Sequence, residues 1–256
     1  LRAQDPRHLH SHFAHSPSSI AMYTAMQLKR PWSFIGHAND LFQRRHLLRR
    51  KIERADSIIC ISHWHRELYH REVPSAAPQL HVVRCGVELS DEPANSLFTN
   101  NPVRILSVGR LVPKKGFASL VEAFARVRGE IDRDVQLTIV GDGPELDRLV
   151  ELASQLECRE AGRFCGVREH DGVKRAMRDA DLFVLACRED ANGDRDGIPI
   201  VLMEAMAAGL PTISGDLPTI RELICDGING RLVDAGDPTL LADAIRQTIH
   251  RSRDSV

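Results

Sequence analysis

Between residues 103 and 250 the chain repeats one pattern: a short, mainly apolar run followed by a stretch of helical character. The runs are Val103–Val108, Val135–Val140, Arg163–Cys165, Asp181–Cys187, Pro211–Ser214 and Arg231–Val233. The helical stretches are Phe117–Arg128, Pro144–Leu156, Asp171–Arg178, Ile200–Ala208, Pro218–Ile224 and Pro238–His250. Strands that are apolar without alternation must be buried on both faces. Helices between them then provide the crossovers, so the pattern predicts an α/β domain with a parallel sheet. Gly143-Pro144-Glu145 and Asp237-Pro238 place proline in a first helical turn, where its missing N–H costs nothing. In such a sheet ligands bind beyond the carboxyl ends of the strands, near helix N-termini.

The first ninety residues give a weaker signal of the same kind. Strands are expected at His8–Phe13, Trp32–Gly36, Ser57–Ser62 and His81–Cys85, with helices at Ser18–Leu28, Asp40–Ala55 and His63–Tyr69. A linker rich in Asn, Ser and Pro follows, Glu88 to Pro102. Residues 1–90 carry a net charge of +6 and the remainder −7, and ten of the twelve histidines precede residue 82. This asymmetry supports two domains, 1–95 and 96–256. The first is too short for a complete α/β domain and the chain starts at Leu1, so a truncated N-terminal domain is expected.

Composition excludes other classes. With 43% apolar residues the chain can build a core, and it contains no stretch as long and apolar as a membrane span. Six cysteines without a CxxC pair argue against a zinc knuckle or a disulfide framework, and for a reducing, cytoplasmic setting. Near-neutral charge and few aromatics make a nucleic-acid partner a poor fit.

Two segments carry chemistry. In VRILSVGRLVPKKG a strand runs into Gly109, a basic loop holds Arg110, Lys114 and Lys115, and Gly116 opens a helix. Cations and free helix-end amides converge there, which suits a phosphate or diphosphate, although a solvated basic loop fits the same residues. It is neither a GxxxxGK[ST] loop nor a GxGxxG turn. In DGIPIVLMEAMAAG, Glu204 lies in a helix that is otherwise apolar. A buried carboxylate needs donors, from sugar hydroxyls or from an internal arginine. Gly197 permits close backbone approach, and Ile198–Leu202 offers helix-end amides. Asp196 sits in an acidic loop, where Asp194-Arg195-Asp196 reads as an incidental DxD. His8, His10 and His12 alternate and would share one strand face, as metal ligands or as structural histidines. His12 also fits a cleft. Arg44, Arg45, Arg49, Arg50, Lys51 and Arg54 oppose Leu41, Leu48 and Ile52 on one predicted helix, which suits an anionic membrane surface or a solvated face.

GRLVPKKG, IVGDGPELDRL, Cys165-Gly166, DGIPIVLMEAMAAGLPTIS and DGINGRLV, in this order, resemble the retaining glycosyltransferases of family 4, also called glycosyl transferases group 1. HSHFAHSPSSIAMYTAMQLKRPWSFIGHANDLF is similar to the exopolysaccharide and colanic-acid members of that family. The resemblance implies the GT-B fold, two Rossmann-like domains. It implies transfer of a hexose from a UDP- or GDP-sugar to a saccharide or lipid-linked saccharide acceptor, with no metal or other cofactor required, at the inner face of the membrane. Arg110 and Lys115, with Gly109, then match the diphosphate-binding loop. Glu204 matches the second acid of the E-x7-E motif, which binds ribose, and Asp196 the first, near the donor sugar, with Asp in place of Glu. Gly197, Ile198, Pro199 and Val201 match the stretch facing sugar and phosphates, Val167 the stretch on the base, and His37 the cleft histidine. His37 and Asp196 are the catalytic candidates. A donor-binding module without catalysis and a GT-B nucleotide-sugar epimerase are the alternatives.

Overall fold

The computed structural model describes residues 5–42, 45–89, 98–99 and 101–251. By contacts the chain divides into two units. One is residues 1–85 with Glu189–Ile198; the other is Gly86–Arg188 with Pro199–Val256. The chain therefore crosses between them three times, and a ten-residue loop from the second half of the sequence belongs to the first unit.

The first unit contains β1 (Leu9–His12), α1 (Ser16–Leu28), β2 (Trp32–Gly36), α2 (Asn39–Phe42), α3 (Leu48–Arg54), β3 (Ser57–Cys60), α4 (His63–Glu72) and β4 (Leu80–Val82). The four strands pair in sequence order, all parallel. Met22, Trp32, Phe34, Leu41, Ile52, Ile58 and Tyr69 fill its core. The single helix expected over 40–55 is instead two. Leu47 adopts a left-handed φ of 54° before α3, which no continuous helix accommodates. Arg44 lies outside the described residues, as do residues 90–97 and 100 of the expected linker.

The second unit holds β5 (Val103–Val108), α5 (Phe117–Glu130), β6 (Val135–Val140), α6 (Leu146–Gln155), β7 (Gly162–Phe164), α7 (His170–Asp179), β8 (Leu182–Leu185), α8 (Ile200–Ala207), β9 (Thr212–Gly215), β10 (Arg231–Val233) and α9 (Pro238–Arg251). Its parallel sheet runs β10-β9-β8-β5-β6-β7. The chain starts at the centre with β5, builds outward through β6 and β7, then returns to place β8 on the other side of β5. That reversal makes the gap beyond the carboxyl ends of β5 and β8 the topological switch point. Two expected helices are shorter than predicted. Pro218–Ile224 forms only the 3-10 turn Ile220–Glu222, with Ile220 and Ile224 buried. Helix α6 begins two residues late, at Leu146, and the Glu145 N–H before it bonds the Leu111 carbonyl.

Candidate functional site

The loop after β5 sits at the switch point. Pro113–Lys115 forms a 3-10 turn, Gly116 takes a left-handed φ of 67°, and α5 starts at Phe117. The loop is held from both sides of the gap. The Arg188 N–H donates to the Lys114 carbonyl at 2.9 Å, and Gly116 lies so close to the Ala186 carbonyl that a Cβ there would stand 1.9 Å from its oxygen. On the other side Gly109 N–H bonds the Val140 carbonyl and Leu111 N–H the Asp142 carbonyl. Gly141 and Gly143 allow this approach: a Cβ at either would overlap the backbone of Gly109 or Leu111. The aliphatic stem of Lys115 packs beside Gly109, while Arg110 is exposed and Lys114 buried. Gly109, Arg110, Lys115 and the amino end of α5 thus converge on one place. Val167 follows Gly166 at the end of β7 and is 77% exposed, so its side chain is available to a ligand.

Glu204 departs from expectation. Its helix, α8, was expected to be buried all round. Only Leu202 and Ala205 are, and Ile200 is exposed. The carboxylate is about a quarter exposed, because one face of this two-turn helix opens on a cavity of about 750 Å³ lined by Glu204, Ile200, His170, Lys174 and residues 86–89. His170 Nδ1 lies 3.9 Å from Glu204 Oε1, close enough to pair when the imidazole is protonated. Desolvation therefore does not force an internal partner on Glu204, and the cavity leaves it reachable. Val201 is half-buried and Pro199 buried.

In the first unit, His37 follows β2 and its backbone is fixed at both ends. Its N–H donates to the buried Asp40 carboxylate, which also accepts from Ala38 and, at 2.6 Å, from Ala14. Its carbonyl accepts from His65 Nε2 at 2.6 Å. That bond places a His65 proton on Nε2, and Nδ1 pairs with the Ser62 hydroxyl at 2.6 Å. Gly197 rests on this assembly: a Cβ there would lie 3.3 Å from His65 Cε1 and 3.1 Å from Ile61 Cδ1. The buried Asp196, with Gly197 and Ile198, therefore shares a support with His37. The acidic loop is a built turn. Asp190 accepts from the Asn192 and Asp194 amides, and Arg195 pairs with Glu189 while lying over the Trp64 ring at 4.7 Å. Burial and the neighbouring His12 lower the His37 pKa from its ordinary value, against the pull of Asp40, which favours the neutral ring.

The basic face of residues 44–54 needs one correction. Lys51 is fully buried and donates to the Ala14, His15 and His46 carbonyls, each at 2.7 Å. Arg49, Arg50 and Arg54 remain exposed. His8 and His10 both bond the Ser33 hydroxyl, and among the described residues no group of three or more His, Cys, Asp or Glu could hold a metal ion. Sequence reasoning passed over Asp40, His65 and His170. Only Ser62-x-x-His65, which the structure turns into a helix cap, left a readable sign.

Residues 90–255 match the family described as Glycosyl transferases group 1, and residues 1–91 match Glycosyltransferase Family 4. The chain belongs to the glycosyl transferases group 1. This group 1 chain is 34% identical over 182 residues to the amylovoran biosynthesis glycosyltransferase AmsK of Erwinia amylovora, covering 70% of this chain and 44% of AmsK. It is 40% identical over 158 residues to the phosphatidyl-myo-inositol mannosyltransferase of Mycobacterium leprae, covering 61% of this chain and 40% of that protein. It thus spans less than half the length of either relative. The Anabaena protein HepE, solved in complex with UDP and glucose, superposes with a TM-score of 0.80 at 19% identity, over 98% of this chain and 71% of HepE. The group 1 chain therefore has the α/β GT-B fold, each unit a parallel sheet. Among its described residues no helix is long and apolar enough to cross a membrane.

Proposed function

We propose that this chain carries the donor site and part of the acceptor side of a retaining glycosyltransferase. The reaction would move a hexose from a UDP- or GDP-sugar to a saccharide or lipid-linked saccharide of a cell-surface polymer. The observation that carries this reading is the basic loop Gly109–Gly116 at the switch point of the second sheet, clamped by backbone contacts on both sides. A departing diphosphate needs preorganised positive charge, and Arg110, Lys115 and the α5 amides supply it without a metal. Glu204, reachable from its cavity, takes the ribose hydroxyls, and Val167 lies along the base. In the second unit Pro199 and Val201 serve the phosphates; in the first, Asp196, Gly197 and Ile198 serve the donor sugar, and His37 is the cleft histidine. Amylovoran synthesis in one relative and phosphatidylinositol mannosylation in another support a glycan acceptor. UDP and glucose in HepE support the nucleotide sugar.

Calorimetric titration with UDP, GDP, ADP and NAD in the presence of EDTA tests the donor site. One nucleoside diphosphate should bind in the micromolar-to-millimolar range. Glu204→Ala and Lys115→Ala should each weaken it by about 1–3 kcal/mol, the usual loss for a charged hydrogen-bond partner. His37→Ala should leave nucleotide affinity intact and lower turnover. If both donor-site variants bind as well as the wild type, the site assignment is wrong.

Peripheral binding to an anionic membrane belongs to the same reading. Arg50 lies over the exposed Tyr23, and Arg54 reaches Met26, so cations border an apolar strip of Ile20, Tyr23 and Met26 on α1. The protein should sediment with phosphatidylglycerol vesicles and remain in solution with phosphatidylcholine, and Arg49→Glu with Arg50→Glu should release it. Equal binding to both lipids would reject the electrostatic part.

A further inference from the structure

Phe13 follows β1 at the carboxyl end of the first sheet and is 46% exposed, with a left-handed φ of 70°. For a large aromatic residue that backbone conformation costs energy, and a phenyl ring left 46% exposed returns only part of it by burial. The chain nevertheless fixes this conformation firmly. The next residue, Ala14, is fully buried; its N–H bonds the Asp40 carboxylate and its carbonyl the Lys51 ammonium. The same ammonium takes the His15 carbonyl, which also accepts from the Ser18 hydroxyl. Two buried charged side chains thus hold the backbone that presents an exposed ring.

The surroundings of the ring point to its use. Its centroid lies 5.2 Å from that of His37, tilted by 53°, and 5.6 Å from that of His15, which stacks on it nearly parallel at 14°. His12 stacks on His37 at 6.1 Å. One side of the ring is therefore backed by the His15 imidazole, and the tilted His37 offers a donor or acceptor beside the surface that stays exposed. A pyranose has the complementary form, an apolar C–H face with hydroxyls around its edge. We propose that Phe13, backed by the stacked His15, is the floor of an acceptor subsite that stacks one pyranose ring on its exposed side, with His12 and His37 at its polar rim. This deepens the reading above by naming what the His37 side of the first unit binds.

The test uses the whole chain with ¹³C-labelled Phe and His rings, titrated separately with methyl α-D-glucopyranoside, methyl α-D-mannopyranoside, methyl β-D-galactopyranoside and uridine. At least one glycoside should shift the Phe13 and His37 ring signals saturably, and uridine should shift neither. Phe13→Leu keeps the bulk but removes the π face, so it should weaken the response of His37 about tenfold. Phe13→Trp should preserve that response. The proposal fails if no glycoside moves the Phe13 signal, if Phe13→Leu leaves the His37 response unchanged, or if uridine moves both rings. The nucleotide titration stands apart. Glycoside binding without UDP or GDP binding would sink the donor assignment and leave this subsite standing.

Discussion

Replacing Lys51 with methionine should destabilise the first unit by about 3–5 kcal/mol, the range found when one member of a buried charged network is removed. Methionine fills nearly the same volume, so the loss isolates the ammonium rather than a cavity. Three carbonyl oxygens, of the buried Ala14 and the part-buried His15 and His46 sites, would lose their donor. Each unsatisfied buried group costs about 1–3 kcal/mol, partly recovered by relaxation. Asp40 would also lose the favourable field of the ammonium. Tryptophan fluorescence reports this unit alone, because both tryptophans of the chain, Trp32 and Trp64, belong to it. In urea unfolding followed at those residues, a loss below about 1 kcal/mol would show that the network is dispensable.

The same substitution carries a pH signature. Burial pushes the Lys51 pKa down from 10.5 to about 8, against the attraction of Asp40. Between those values the unfolded chain binds more protons than the folded one, so the stability attributable to Lys51 rises with pH from about 8 to 10.5. The gap between wild type and Lys51→Met should therefore widen across that window and stay flat below it. A gap that narrows would mean that the three carbonyls hold the proton more tightly than burial releases it.

The contrast between Trp32–Gly36 and residues 40–55 shows what the sequence could convey. Trp32–Gly36, Val103–Val108, Val135–Val140 and Arg231–Val233 are strands with the bounds expected of them, because short, mainly apolar and β-branched runs ended by Gly or polar residues have few alternatives. Local rules read Arg49, Arg50, Lys51 and Arg54 as one charged face. The third of them instead turns inward to carbonyls thirty-seven and thirty-six residues away. Nothing in the spacing of a lysine announces such partners. Helix α8 failed for the reverse reason: its apolar residues implied full burial, whereas one face meets a cavity rather than a core. Motif-borne residues such as Gly109, Lys115 and Glu204 can be proposed from the chain because their motifs are local. Asp40 and His65 cannot, because each matters only through the distant backbone it holds.

Gly116→Ala should cost about 3 kcal/mol or more and disable the basic loop. A residue with a Cβ is strained at its φ of 67°, a cost of about 1–3 kcal/mol. The methyl would also stand 1.9 Å from the Ala186 oxygen and 3.0 Å from the Ala186 Cβ. Neither neighbour can yield easily. Ala186 is fully buried at the end of β8, and the hydrogen bond from Arg188 to Lys114 ties that segment to the loop itself. Relief therefore requires β8 and the amino end of α5 to part, which widens the gap where Lys115 and the helix amides converge. Gly109→Ala is the internal control for stability. A Cβ there meets only ordinary contacts of 3.6–3.8 Å with Phe117, Leu185 and Lys115, so it should cost less than about 1 kcal/mol. Urea unfolding followed by circular dichroism compares the two variants. Nucleoside diphosphate titration below the transition then asks whether folded Gly116→Ala still binds. Equal stability of the two variants would show that the loop and β8 are not locked together, and undiminished binding would move the diphosphate away from this loop.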